Sequence, residues 1–202
     1  MLVKLLSEKD KTHFLKLAEL LSIADKPLRW DGKTKDEVTP KTDMKKVSFA
    51  KGEAESNLLS DWSQDVRMGP MTSFFGNDST SEIKLTRKPS ATEVEKLLLD
   101  QLEDIPLHKN TEDSIERLNA VSATLHRLLE RGSETTPHAV RVMLYELMLM
   151  ALASGGISSV EYRCLEILKQ HYKVDDCDFD EILERAETMY REVQKTIALV
   201  LE

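Results

Sequence analysis

The sequence predicts an all-α protein: a compact bundle of about six to seven helices around a buried apolar helix at 137–153. Three observations lead there. Apolar residues recur at helical spacing through most of the 202 residues, and no segment alternates with period two for long enough to argue a strand. Seven glycines and six prolines are too few for the many turns of an all-β fold. The stretch from Val140 to Leu183 reads as a very apolar helix, a glycine break, an amphipathic helix, an acidic turn and another helix.

The first helix follows from Phe14, Leu17, Ala18, Leu21 and Ala24, with Lys16 and Glu19 placed outward. It should stop near Asp25, because Pro27 disfavours helical geometry in the residue before it. A loop follows, with a tight turn at Asp31-Gly32 and a short helical turn at 35–38. Residues 41–89 are the least readable part, an insertion expected to be mobile in places. Within them, 54–66 suits a short helix, while Gly69-Pro70 and 76–81 are turn-rich. Val94, Leu97, Leu98 and Leu102 form the next apolar stripe, ending near Pro106. Ile115, Leu118, Val121, Leu125 and Leu128 form another, with Gly132 as its C-cap. Pro137 suits the first turn of the apolar helix that runs through Leu152. Ala153-Ser154-Gly155-Gly156-Ile157-Ser158 then makes a small-residue turn, and the Ser158 hydroxyl can accept from free backbone N–H groups of the next helix. Val160, Cys164, Ile167 and Leu168 line that helix. In the last one, Phe179, Ile182, Leu183, Ala186, Met189, Tyr190, Val193 and Ile197 hold a single face. The reading is one all-helical domain over 1–202.

Net charge is −8, which disfavours general affinity for nucleic acid phosphates. The charge is uneven: between Lys26 and Lys51 eight basic residues stand against four acidic ones. Such a basic loop most simply complements the acidic body of the protein. Cys164 and Cys177 form no Cys-x-x-Cys motif, and two free thiols suit a reducing compartment. The start, MLVKLLSEKDK, lacks a signal-peptide apolar core, and Arg141 and Glu146 interrupt the longest apolar run. A cytoplasmic location is expected.

Little in the chain spells out a reaction. Asp176, Asp178 and Asp180 have the spacing of a calcium loop with Glu187 beyond, but Glu181 stands where glycine must turn, and Phe179 and Ile182 require helix there. An acidic first turn facing a positive helix N-terminus explains them better. The five histidines (His13, His108, His126, His138, His171) make no metal-binding pair, and phosphate-loop and nucleophile-elbow glycines are missing. No enzyme is expected. Asp25, Asp31-Gly32 and Asp36-Glu37 lie between one helix end and the next helix start, where carboxylates can coordinate calcium or magnesium or simply supply turn chemistry. Phe74 and Phe75 sit together in a polar stretch and are candidate partner-docking residues.

These residues resemble the tellurite-resistance TerB-like family, whose members carry an A-D-G-x-I-S-x-x-E turn between helices, often twice. Ala153, Gly155, Ile157, Ser158 and Glu161 match, with Ser154 where the family has an acidic residue, and the following VDDCDFDEIL is also similar. At the N-terminal side, Asp25, Asp31-Gly32 and Glu37 are kept in a turn with a short insertion. The resemblance covers 12–38 and 137–186. It implies a helical module of a stress-response system that binds a divalent cation (calcium or magnesium), a protein partner, or both. It also implies metal ligands at Asp25, Asp31, Glu37 and Glu161, and peripheral membrane association through a partner. The other reading is an ion-independent protein–protein adaptor using the methionine-rich helix or Phe74 and Phe75.

Overall fold

A computed structural model describes residues 2–67, 92–102, 114–132 and 135–201. It is an all-α fold. After a 3-10 turn at Leu2–Leu5 come α1 (Glu8–Ala24), β1 (Leu28–Trp30), a second 3-10 turn (Lys35–Glu37) and β2 (Val47–Phe49). The remaining elements are α2 (Glu53–Arg67), α3 (Glu93–Leu102), α4 (Ser114–Glu130), α5 (Pro137–Ala153), α6 (Ser159–His171) and α7 (Asp176–Leu201). Seven helices and two strands occur among the described residues. None of these helices is long and apolar enough to cross a membrane.

Two helices share the centre. In α5, Val142, Met143, Leu144, Leu147, Met148, Met150 and Ala151 are buried, as its lack of a polar face requires. Glu146 lies among them, and its carboxyl group accepts the backbone N–H of Leu2, giving a buried polar group a hydrogen-bond partner. α1 is equally central, packing against α2, α3, α4, α5 and α6. This is why Lys16 and Glu19, expected to face outward, are half-buried. Within the stretch read as hardest to interpret, α2 packs against α1 and α5. Trp62 of α2 sits edge-on to Phe14 at 4.9 Å, and Phe49 is also buried.

The strands are the departure from expectation. β1 and β2 pair antiparallel with Leu28 opposite Phe49 and Trp30 opposite Val47. Three residues each are too few to display an alternating pattern, although Leu28 and Trp30 do point inward around exposed Arg29. The adjoining turn is as the sequence predicts. Asp31 and Gly32 both have positive φ, 51° and 82°, and Trp30 and Lys33 exchange both backbone hydrogen bonds across them.

The α5–α6 turn also matches. Gly155 and Gly156 have φ of 115° and 128°, a region that glycine reaches without a Cβ clash. Ser158 Oγ accepts from the Glu161 N–H at 3.3 Å, and Glu161 Oε2 accepts from the Ser158 N–H at 2.8 Å, forming a reciprocal cap. Asp176 in the first turn of α7 pairs with Lys169 at 2.7 Å, so the aspartate run opens a helix. In α4 the buried face departs from the expected stripe. Ile115 is exposed, whereas Arg117 is buried with Val121, Thr124, Leu125 and Leu128.

Candidate functional site

Two regions compete as the functional site: the junction at the end of α1, which gathers most of the acidic candidates, and the outer half of α7. At the junction, carbonyls near the α1 C-terminus lack helical partners, because a helix leaves its last C=O groups unpaired, although Ile23 O already accepts the N–H groups of Asp25 and Lys26. Arg117 of α4 supplies donors. Its Nε donates to Ala24 O at 2.7 Å, and its Nη2 donates to Ile23 O at 2.6 Å and Lys26 O at 2.8 Å. The guanidinium lies over the Phe49 ring at 4.6 Å, so the hairpin covers it from one side. Burial lowers the Arg117 pKa to about 10, with nearby Asp25 opposing the shift. Arg117 thus ties α4 and the hairpin to the end of α1.

Asp25 is the C-cap of α1, and its carboxylate pairs with Lys26 Nζ at 3.2 Å. Lys26 Nζ also approaches buried Glu55 Oε1 at 2.8 Å. This contact is an ion pair and not a well-aligned hydrogen bond, since that oxygen has no hydrogen-bond partner among the described residues. Burial pulls the Lys26 pKa down, but its pairing with Glu55 and Asp25 outweighs that and leaves it raised. Glu161 is buried behind this group. Burial raises its pKa, its two Ser158 hydrogen bonds oppose the rise, and the Asp25 charge adds to it. A cleft of about 460 Å³ opens beside the junction, lined in part by Asp25, Lys26, Trp30, Thr34, Asp36 and Arg117.

The four expected metal ligands therefore have different positions and tasks. Asp31 is exposed in its turn and pairs with Lys46 at 3.3 Å. Glu37 accepts the Thr34 N–H at 3.0 Å and closes the 3-10 turn; that hydrogen bond lowers its pKa. Asp25 holds Lys26, and Glu161 caps α6. Among the described residues, no three histidine, cysteine, aspartate or glutamate side chains are placed to hold a metal ion. Phe74 and Phe75, the expected docking pair, lie outside the described residues.

The other region was legible only in part. α7 is about 39 Å long and its neighbour α5 about 26 Å, from 26 and 17 residues at 1.5 Å each. The two helices pack together, with Arg141 near the start of α5 paired to Asp178 near the start of α7. The face of α7 that the sequence marks as apolar is buried at Phe179 and Ala186. Farther along, the same face is open: Met189 is 49% exposed, Val193 40%, Ile197 46% and Val200 76%. The spacing announces the stripe but not where its cover ends.

No known protein family, curated protein or solved structure matches this chain.

Proposed function

We propose that this protein is a non-enzymatic helical module of a tellurite-resistance-like stress-response system, acting by docking a protein partner along the outer half of α7. The exposed stripe from Met189 to Val200 carries the reading, since an uncovered run of large apolar side chains in an acidic, water-facing helix marks an interaction surface. The stress-response context rests on the resemblance over 12–38 and 137–186 alone. A photo-crosslinking amino acid at Thr196, within the stripe, tests the docking in the cells that produce the protein. Formation of a covalent protein adduct is expected, and its loss in a Val193→Glu/Ile197→Glu background identifies the stripe as the contact. No adduct would refute the docking reading.

One observation favours a second reading, in which the module also takes up calcium or magnesium. Asp25 and Glu161 lie close enough for the Asp25 charge to raise the Glu161 pKa, and Lys26 stands at the same place as a resident cation. A divalent ion would have to displace that ammonium group. Thermal unfolding of chelator-treated protein, with and without Asp25→Asn, measures this. An ion at a hundredfold excess over its dissociation constant stabilises by about 2.7 kcal/mol. A shift with calcium or magnesium that disappears in Asp25→Asn supports uptake, and the same midpoint with every ion refutes it.

A further inference from the structure

We propose that the partner on α7 is a second copy of this chain, packed antiparallel against the segment from Met189 to Val200; this rests on the docking reading above. The pattern of the helix is the first argument. Phe179, Ile182, Ala186, Met189, Val193, Thr196 and Val200 follow one another at alternating steps of three and four, the repeat by which one helix packs lengthwise on another. The first three of these positions are spent inside the fold: Phe179 and Ala186 are buried and Ile182 packs on the core. The last four present the same seam to solvent, so what fits it is another helix with this repeat.

Charge narrows the choice to a copy. The chain carries −8 overall, yet residues 189–201 hold Arg191 and Lys195 against Glu192 alone. Two acidic bodies can meet at this segment without bringing their negative charge together, whereas elsewhere they repel. The stripe itself has no charge at its seam positions, so it offers nothing to a charged partner and matches an equally apolar surface. Orientation follows from the same electrostatics. A parallel pair would hold both acidic bodies at one end, while an antiparallel pair puts them at opposite ends. It also sets Val200 against Met189, Val193 against Thr196 and Tyr190 against Ile197 of the other copy, and keeps Glu192 away from its own counterpart.

Area sets the strength. Met189, Tyr190, Val193, Ile197, Val200 and Leu201 present on the order of 100 Å² each, roughly 600 Å² per copy, against about 800 Å² per partner in a standard stable interface. The area falls short of a standard stable interface, so the dimer is concentration-dependent.

Sedimentation velocity of the full chain from about 1 to 100 µM tests this, alongside Val193→Glu/Ile197→Glu protein. Both positions are exposed, so the variant should keep the far-UV helicity and unfolding midpoint of the monomer. The wild type is expected to pass from one chain mass to two across the range while the variant stays at one. Wild type that remains a single chain at every concentration overturns the second copy, as does a variant that dimerises equally. The Thr196 crosslink separates the two failures. An adduct with a different protein only leaves docking standing and sinks the second copy, while no adduct sinks both.

Discussion

Replacing Arg117 by methionine should be among the most damaging single changes outside the apolar core, because one guanidinium serves three carbonyls at 2.6–2.8 Å. Methionine keeps most of the stem volume, so the loss is chiefly polar. Each hydrogen bond from a charged donor contributes roughly 1.5–3 kcal/mol, and a buried carbonyl left without a donor forfeits about that much. Ile23 O keeps the N–H groups of Asp25 and Lys26, so the loss is chiefly at Ala24 O and Lys26 O and comes to roughly 3–6 kcal/mol. Releasing the guanidinium from a site where burial lowers its pKa to about 10 offsets part of this. A net loss of about 2 kcal/mol remains, and the Phe49 contact adds to it only modestly. For a chain of this size that is roughly 4–8 °C in the unfolding midpoint, at about 2–4 °C per kcal/mol. Urea unfolding followed by circular dichroism measures it, with Arg117→Lys as the control that retains charge but cannot reach all three carbonyls. Arg117→Lys should fall between the wild type and Arg117→Met. A loss below about 1 kcal/mol for Arg117→Met would show that water satisfies the α1 terminus as well as Arg117 does, and the account of the junction would be wrong.

Two further outcomes follow from buried titratable groups. His13 is buried on α1 with Nε2 bonded to the Tyr172 hydroxyl at 2.8 Å, and burial lowers its pKa from 6.5, with Asp10 opposing. The unfolded chain therefore binds the proton first: the contribution of His13 to stability is full above pH 6.5 and is lost as pH falls toward its folded pKa. The stability difference between wild type and His13→Gln should shrink on acidification from pH 7.5 to 5.5, and a constant difference would contradict the assignment. Cys164 is buried with its thiol pushed up to about 12 by burial, whereas Cys177 is exposed. One thiol per chain should react quickly with a disulfide reagent at pH 8 and the second only after unfolding; two fast thiols would place Cys164 at the surface.

Much of this architecture is legible in the sequence where local chemistry decides it. The apolar α5, the glycine turn at Gly155-Gly156, the Ser158 cap and the Asp31-Gly32 turn each follow from a few adjacent residues. What escaped depends on partners distant in the chain. β1 and β2 are too short to carry a period, and the placement of 41–67 depends on distant contacts, Trp62 on Phe14 of α1 and Phe49 beneath Arg117 of α4. Arg117 reads as a surface charge, yet it stands four residues before Val121 and seven before Thr124, on the face that turns out to be buried. That position was the available signal. Spacing marks the acidic residues as possible ligands because it cannot show that Lys26, Lys46, the Thr34 N–H and the Ser158 N–H already occupy them.

The central claim is that the outer seam of α7, which no described residue covers, meets another chain. Sedimentation velocity of wild type beside Val193→Glu/Ile197→Glu protein tests it most directly. The account predicts a concentration-dependent two-chain species in the wild type and a single chain in the variant, which keeps the unfolding midpoint of the wild-type monomer. Identical single-chain behaviour of both at 100 µM would contradict it.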